Sequence, residues 1–491
     1  MTEPLNGVKG GIDRRTLLGV STGLAVAGTL PITANAQQAL AQDPTPSPVT
    51  EILAKYVVDA RYEDLPVAVR KQGARTLLNW VGCAVGGSQH ETVDRAVKAL
   101  TPFSGKAEAN LLGRKERLVA STAALINGIA SHIFDYDDTH LKTIIHPAGP
   151  VASALLALSQ RQKVSGAVFL NALILGMEVE CRIGNAVYPE HYAMGWHITG
   201  TTGAFGSAAA CGKLLGLNAQ QMAWALGIAA SQPVGLKVQF GSMTKSFHPG
   251  RAAQNGMLAA ILAQQGFTSD IHAIEGKDGW GRALSTRRNW SEVTEGLGTR
   301  YEAALNTYKP FACGIVTHPG IDAAIQLRNE NHLTGSEIES VTLRGNPLVQ
   351  SLTGRTEPTA GLEGKFSIYH CIAVGILQGA AGERQFSDAV VRDPAVVALR
   401  RKVVLITDPA ISTEQGELTI RLKDGRVLTK RIEHAVGSLD VPMTDSMLEA
   451  KFTDLAQGIL SPAKTRRLMD LSWGVAGLSD AGQIAVAAKA G

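Results

Sequence analysis

The sequence predicts a mostly α protein: a large helical domain formed by both chain ends, with a smaller α+β domain between them. Three observations predict it. Ala- and Leu-rich segments at helical spacing fill the chain from about residue 50 to 305. After Tyr308 the texture changes to short alternating runs, and after Pro442 the helical spacing returns. The simplest topology lets the last helices rejoin the first block.

The first 36 residues read as a targeting segment. Arg14 and Arg15 precede a mildly apolar stretch to Leu30, broken by Gly19, Gly23 and Gly28 and ending near Ala34-Asn35-Ala36. An Arg pair before a weak apolar region and a small-residue cleavage site reads as a twin-arginine signal, hence export to a bacterial periplasm. The competing reading is a retained anchor, for which the apolar stretch is short. Residues 37–48, with Gln and Pro, read as a flexible leader. No later stretch reaches about 18 uninterrupted apolar residues, so no membrane contact is expected once the signal is removed.

Residues 49–306 form the first part of the helical domain. Ile52, Tyr56 and Val57 begin an apolar stripe. Leu65-Pro66 opens a helix carrying Val69, Leu77, Leu78 and Val81, which ends at Gly86-Gly87. Residues 120–130, 151–160 and 167–177 have helical spacing. Asn218 to Gln221 has a capping-box arrangement. Pro249 reads as the start of a helix through Leu262 that stops at Gly266. Residues 307–437 form the α+β domain. Its strands are Ser340–Arg344, Lys402–Thr407, Glu417–Leu422 and Arg426–Ile432, the last two flanking the hairpin signal Asp424-Gly425. Residues 316–330 and 366–380 read as its helices. Residues 438–491, with Met447, Leu448, Phe452 and Leu455, complete the helical domain.

Composition narrows the function classes. Of 491 residues, 45% are hydrophobic and 18% charged, a globular balance. The net charge is only +4 and no basic run stands out beyond the signal, which argues against nucleic acid. Small anions need only a few cations. The five cysteines, Cys83, Cys181, Cys211, Cys313 and Cys371, are widely spaced and lack a CxxC pattern, so they read as buried small hydrophobes rather than zinc ligands.

The chemistry concentrates in five segments. The first, Asn127 to His140 with His146-Pro147, packs Asp135, Asp137, Asp138, Thr139 and the histidines His132, His140 and His146 into one stretch past an Ala-rich helix. Dense titratable groups there have work to do or solvent to face. A solvated, capping acidic turn is the bland alternative. A metal site is another, but no HxH, HExxH or DxDxDG spacing is present. The second, Gly195 to Gly203, places His197 in a Gly/Thr-rich turn before a helix, where free N–H groups favour an anion. A structural histidine bonded to backbone is the alternative. The third, Gly241 to Arg251, puts Lys245, His248 and Arg251 at a helix mouth, suited to a carboxylate or to an ordinary basic loop. The fourth, Tyr308 to Gly314 with Lys309, lies where the two textures join, a usual place for clefts. The fifth, Lys365 to Cys371, carries Tyr369 and His370 at a helix start. His132 reads as packing on its own helix.

In order and separation, NGIASHIFDYDDTH…HP, GWHITGTTG, GSMTKSFHPGRAA and KFSIYH resemble the motifs of the MmgE/PrpD family, as does LPVAVRKQGARTLLNWVGCAVGG. The resemblance covers roughly residues 50–490. It implies an all-helical domain with an α+β lid, a homodimer, and a site between the domains that uses neither metal nor cofactor. It implies 2-methylcitrate dehydration, cis-aconitate decarboxylation or iminodicarboxylate epimerisation as activities. Carried over residue by residue, it implies Asp135, Thr139, His146, His197 and Lys245 as catalytic, with Lys309 the family's second lysine. Lys245, Arg251 and Lys309 are the natural carboxylate clamps, and the lid tyrosine falls on Tyr369 or His370. Decarboxylase-like members have a histidine shortly after the second lysine, where this chain has Gly314.

These residue types suit a cofactor-free lyase of the hydro-lyase type, acting on a small di- or tricarboxylic acid. A base takes a proton beside a carboxylate, an acid protonates the leaving hydroxyl, and cations hold the carboxylates. Decarboxylation and epimerisation use the same carbanion-like intermediate. A non-catalytic periplasmic carboxylate-binding protein is the alternative of a different class.

Overall fold

Apolar spacing and end signals account for most helix boundaries in the computed structural model, which describes residues 48–491. The export signal at 1–36 and the leader before Pro48 lie outside the described residues. The fold is mostly α. The first block contains α1 (Val49–Asp59), α2 (Val67–Gly87), α3 (Ala120–His132), α4 (Ala148–Ser159), α5 (Gly166–Val187), α6 (Ile198–Leu214), α7 (Ala219–Ala230) and α8 (Met243–Gln264). Pro66 stands just before α2, and Asn218 and Gln221 form a reciprocal capping box on α7. Gly266 follows α8 with φ 81°, the left-handed conformation that suits glycine at a helix end.

The start of α8 corrects the sequence reading. The helix begins at Met243, and Pro249 lies inside it. Proline removes one helical donor there, but the turn before it still forms. That extra turn carries Lys245. The crossing of α8 with α3 is equally close: a Cβ on Gly128 would meet the Gly250 Cα at 2.4 Å. Only glycine permits this backbone approach, which brings the end of α3 against the start of α8.

Two short strands were absent from the sequence reading. β1 (Asp138–His140) and β2 (Asn306–Tyr308) pair antiparallel, with Thr139 opposite Thr307. They join the segment after α3 to the point where the texture changes.

The α+β part contains α9 (His318–Asn331), β3 (Ile338–Gly345), α10 (Ile368–Gln378), β4 (Val403–Thr407), β5 (Gly416–Leu422) and β6 (Val427–Ile432). The sheet order is β4-β3-β5-β6. β3 runs parallel to β4 and antiparallel to β5, and β5–β6 is a hairpin with Gly425 at φ 91°. One face of the sheet packs on α9 and α10 through Val341, Leu343, Leu418 and Ile372. The chain then returns to the first block as α11 (Asp445–Ala456) and α12 (Pro462–Trp473). Phe452 of α11 fills the space over Gly82 of α2, where a Cβ would stand 2.9 Å from its ring. All five cysteines are free and buried. Among the described residues, no helix is long and apolar enough to cross a membrane.

Candidate active site

Five backbone features converge on one cavity. After α3 the chain turns through Asp135, which holds φ 49°. β1 then runs beside β2, so that Lys309 follows directly, its N–H donating to the Asp137 carbonyl at 3.3 Å. His146 stands just before α4, His197 caps the start of α6, and Lys245 sits in the first turn of α8. The cavity is lined by Asp135, His146, His197, Lys245 and Lys309. Phe240 from the helical block and Phe366 from the α+β part stack at 5.5 Å and close one side. Lys245 Nζ lies 5.3 Å from the Phe240 ring centre, within cation–π range.

Counting donors separates the two lysines. Asp135 Oδ1 accepts from Lys245 Nζ at 2.9 Å and from Lys309 Nζ at 2.7 Å. Lys309 also donates to the Asp135 and Cys313 carbonyls, at 3.2 Å each. An ammonium has three N–H groups, so Lys309 spends all of them on the protein. Lys245 spends two, the second on His132 Nε2 at 2.7 Å. One Lys245 N–H is left for the cavity.

The histidines can be assigned tautomers from their partners. His132 Nε2 accepts from Lys245, so Nδ1 carries the proton and donates to Asp137 Oδ2 at 2.6 Å. His146 Nδ1 donates to the Asp138 carbonyl at 2.6 Å, which leaves Nε2 unprotonated. Thr139 Oγ1 lies 3.3 Å from the same Nδ1, and Thr199 Oγ1 accepts the His146 backbone N–H at 3.1 Å. Thr139 therefore orients His146. His197 Nδ1 pairs with His248 Nδ1 at 2.9 Å.

Burial and charge set the protonation states. Burial pushes His146 down to about 3, with Lys309 adding to the effect. It also lowers His197 well below its ordinary value, helped by Lys245. Burial would raise the Asp135 carboxyl, but Lys245 and Lys309 overcome it and hold it well below the usual range. Burial lowers Lys245 against the opposing pull of Asp135, so its proton leaves more readily than that of a free lysine. Burial and the neighbouring Asp137 push Asp138 up.

His132, His146 and His197 each offer a ring nitrogen, all within 4.8 Å of one another. This grouping could hold a metal ion only if Lys245 released His132 Nε2. Two buried lysines beside it repel a divalent cation. The donor set thus suits an anion better.

The structure brings together Asp135, His146, His197, Lys245 and Lys309, with Thr139 one step behind. It does not bring three of the expected substrate contacts to this cavity. Arg251 is exposed and donates to Gln254 Oε1 at 2.5 Å. At about 100° per residue it points to a different face of α8 from Lys245. His370 is fully buried, with Nε2 on the Gln385 carbonyl at 2.9 Å, and Tyr369 packs against the core of the α+β part. Neither lines the cavity. Lys309 lines it, but as the holder of Asp135 rather than a free clamp. The reading of His132 as mere packing is also overturned, since it binds Lys245. Phe240 and Phe366 were not singled out, and Asp137 and His248 were named only within their segments without a role. The density of titratable groups in the first segment was the available signal for His132 and Asp137.

A helical block with an α+β insertion, and between them a buried lysine–carboxylate–histidine site, define the class. The chain belongs to the MmgE/PrpD family, matching the MmgE/PrpD N-terminal domain over residues 51–293 and the C-terminal domain over 311–474. It is 27% identical to a cis-aconitate decarboxylase of Aspergillus terreus over 463 residues, covering 88% of this chain and 94% of that protein. It is 29% identical to the cis-aconitate decarboxylase of Mus musculus over 435 residues, covering 84% and 87%. A 2-methylcitrate dehydratase of Cupriavidus necator is 21% identical over 440 residues, covering 81% and 87%. Decarboxylases and dehydratases are both lyases, which supports an enzyme of that class here.

Proposed function

We propose that this chain is a lyase of the dehydratase type that uses its own side chains on a small di- or tricarboxylic acid. The observation that carries the reading is the pairing, in one cavity, of an unprotonated His146 Nε2 with a Lys245 ammonium that has one uncommitted N–H. His146 Nε2 takes a proton from the carbon beside a carboxylate. The C–H bond breaks, and its electron pair stays on the carbanion-like centre. The C–O bond to the neighbouring hydroxyl then breaks, and the departing oxygen takes the Lys245 proton as water. The anionic substrate raises the basicity of His146 as it enters.

Decarboxylation is a second reading, favoured by the cis-aconitate decarboxylases among the relatives. There a C–C bond breaks, carbon dioxide leaves, and the carbanion takes the Lys245 proton. It gives His146 no proton to remove, and Gly314 stands where decarboxylase-like members carry a histidine. Incubation with a carboxylic-acid panel separates the readings. Dehydration gives new ultraviolet absorbance without loss of carbon dioxide, decarboxylation releases carbon dioxide, and epimerisation takes up solvent deuterium without either. No turnover and simple binding would leave a carboxylate-binding protein.

Export and assembly belong to the same proposal. Arg14→Lys with Arg15→Lys should hold the precursor in the cytoplasm, and normal periplasmic recovery would overturn the export reading. Sedimentation should give a homodimer.

A further inference from the structure

The returning C-terminal segment carries a lysine to the backbone of the candidate active site. Asn79, Gly82 and Gly86 share one face of α2, and α11 lies close against it. A Cβ on Gly82 would stand 2.9 Å from the Phe452 ring, and one on Gly86 would stand 2.7 Å from Leu455. Lys451 is buried between these contacts and reaches past Asn79.

Neutral oxygens take all three of its N–H groups. The Asn79 Oδ1 accepts at 2.8 Å and the Lys309 carbonyl at 2.9 Å. The Tyr136 carbonyl accepts the third, and the Tyr136 ring lies under the ammonium with its centre 4.0 Å away. A buried ammonium without a paired carboxylate is costly, so this one has a place that the rest of the fold must support. Burial lowers Lys451 to about 8. The titratable groups facing it are Cys83 on α2, Asp137 and Asp138 after α3, and Lys309 after β2.

Three consecutive carbonyls before and at the start of β1 are thus each held by a lysine. Asp135 accepts from Lys309 Nζ at 3.2 Å, Tyr136 from Lys451, and Asp137 from the Lys309 backbone N–H at 3.3 Å. Asp135 itself holds φ 49°, which a residue with a side chain adopts only where its surroundings over-determine it. In that conformation its Oδ1 sits between Lys245 at 2.9 Å and Lys309 at 2.7 Å. Lys309 cannot fix this turn alone, because its own segment must be held in place. Lys451 fastens both segments and ties them to α2 through Asn79.

We propose that Lys451 is a positioning residue for the catalytic site. It holds the Tyr136 and Lys309 carbonyls so that Asp135 stays between the two ammoniums and Lys245 keeps the proton it gives. Its effect on turnover rests on the lyase reading above, and the experiment separates the two claims.

The test compares Lys451→Met, which removes the N–H groups, with Lys451→Gln, which keeps two. Circular dichroism checks that each folds. Turnover is measured on the member of the carboxylic-acid panel that the wild type converts. Lys451→Met should lower kcat by about 10²-fold, the cost of a displacement of about 1 Å, and Lys451→Gln should recover part of the loss. The basic limb of the pH profile should move to lower pH in Lys451→Met, because Asp135 no longer holds the Lys245 proton. Loss of a neighbouring cation alone would move that limb to higher pH. A kcat near wild type, or a loss that Lys451→Gln does not lessen with the limb unmoved, overturns the proposal. If only Lys451→Gln folds, the limb is read there. Failure of both to fold also overturns it, since Lys451 would then hold the whole fold rather than the site.

Hydrogen exchange read by mass spectrometry needs no turnover. The Lys309 N–H, held on the Asp137 carbonyl, should exchange about tenfold faster in the folded variant. The Val341 N–H, held on the Lys402 carbonyl in the sheet, should be unchanged. A wild type that converts no acid of the panel, with this local change in the variant, overturns the lyase reading and leaves the positioning of Asp135 standing. Equal exchange at Lys309 overturns the positioning whatever the turnover.

Discussion

His132 Nε2 stands 2.7 Å from Lys245 Nζ, so the lysine that faces the cavity donates to a ring whose other nitrogen is committed to Asp137. The close crossing of α3 and α8 at Gly128 and Gly250 makes the contact possible. The sequence of contacts Asp137–His132–Lys245 gives Lys245 a fixed acceptor backed by a carboxylate.

His132→Gln removes a ring nitrogen that can share the Lys245 proton. The ammonium then loses support while Lys309 still repels it and Asp135 still attracts it. Burial already lowers Lys245, and the loss should lower it further. The expected result is a kcat reduced by about 10²-fold, the low end of proton-transfer effects. The basic limb of its pH profile should move to lower pH. Asp137→Asn should move the limb the same way. A profile unchanged in both variants, with an effect on KM alone, would show that His132 only shapes the pocket.

Lys245 and Arg251 stand six residues apart on α8, yet only Lys245 reaches the cavity. Lys245→Ala should lower kcat by about 10²–10⁴-fold and raise KM, because the side chain acts on bound substrate and transition state alike. Arg251→Ala should leave both constants within about twofold and stability within about 0.5 kcal/mol, as for an ordinary surface residue. Steady-state kinetics with circular dichroism decide between them. A large KM effect in Arg251→Ala would return the arginine to the site.

Most helices were legible because their signals are local: Pro66 before α2, the Asn218–Gln221 capping box, Gly266 after α8. So was the Asp424-Gly425 hairpin. The pairing of β1 with β2 was not legible. It joins Asp138–His140 to Asn306–Tyr308, short runs without alternation whose partners lie far apart in sequence. That pairing carries Lys309 to Asp135. The site residues were found as types in segments, but their roles depend on hydrogen-bond partners. Lys309 and Lys245 look alike in sequence and differ only in how many N–H groups the fold consumes. Arg251 was misplaced because the reading began α8 at Pro249, one and a half turns too late, and so put the arginine at the helix mouth.

Acid should destabilise the fold through its buried neutral histidines. Burial lowers His146 to about 3 and His248 to about 3. In the unfolded chain each titrates near about 6.5. Between those values the unfolded state binds more protons, so stability rises with pH. The contribution is complete above about 6.5 and is lost as pH falls toward 3. Asp138 and Glu180, raised by burial, act in the opposite sense, so the difference between variants is the clean measure. In denaturant unfolding between pH 6 and 4, the wild type should lose about 1.4 kcal/mol more per pH unit than His146→Gln. Equal slopes would mean that His146 is protonated in the folded state.

Chelation tests the character of the site most directly. The ring nitrogens of His132, His146 and His197 lie within 4.8 Å of one another, a spacing a metal ion could use. Lys245 occupies His132 Nε2, however, and Lys309 lies on the same Asp135 oxygen. A divalent ion would have to displace one ammonium and tolerate the other. Exhaustive EDTA treatment should therefore leave activity and melting temperature unchanged. Added Zn²⁺ should inhibit, in competition with the carboxylate, because imidazole is a good zinc ligand once its lone pair is free. Raising the pH removes the Lys245 proton and frees His132, so the inhibition should strengthen with pH. Activity lost on EDTA and restored by a divalent ion would replace the lysine as acid with a metal acting as Lewis acid.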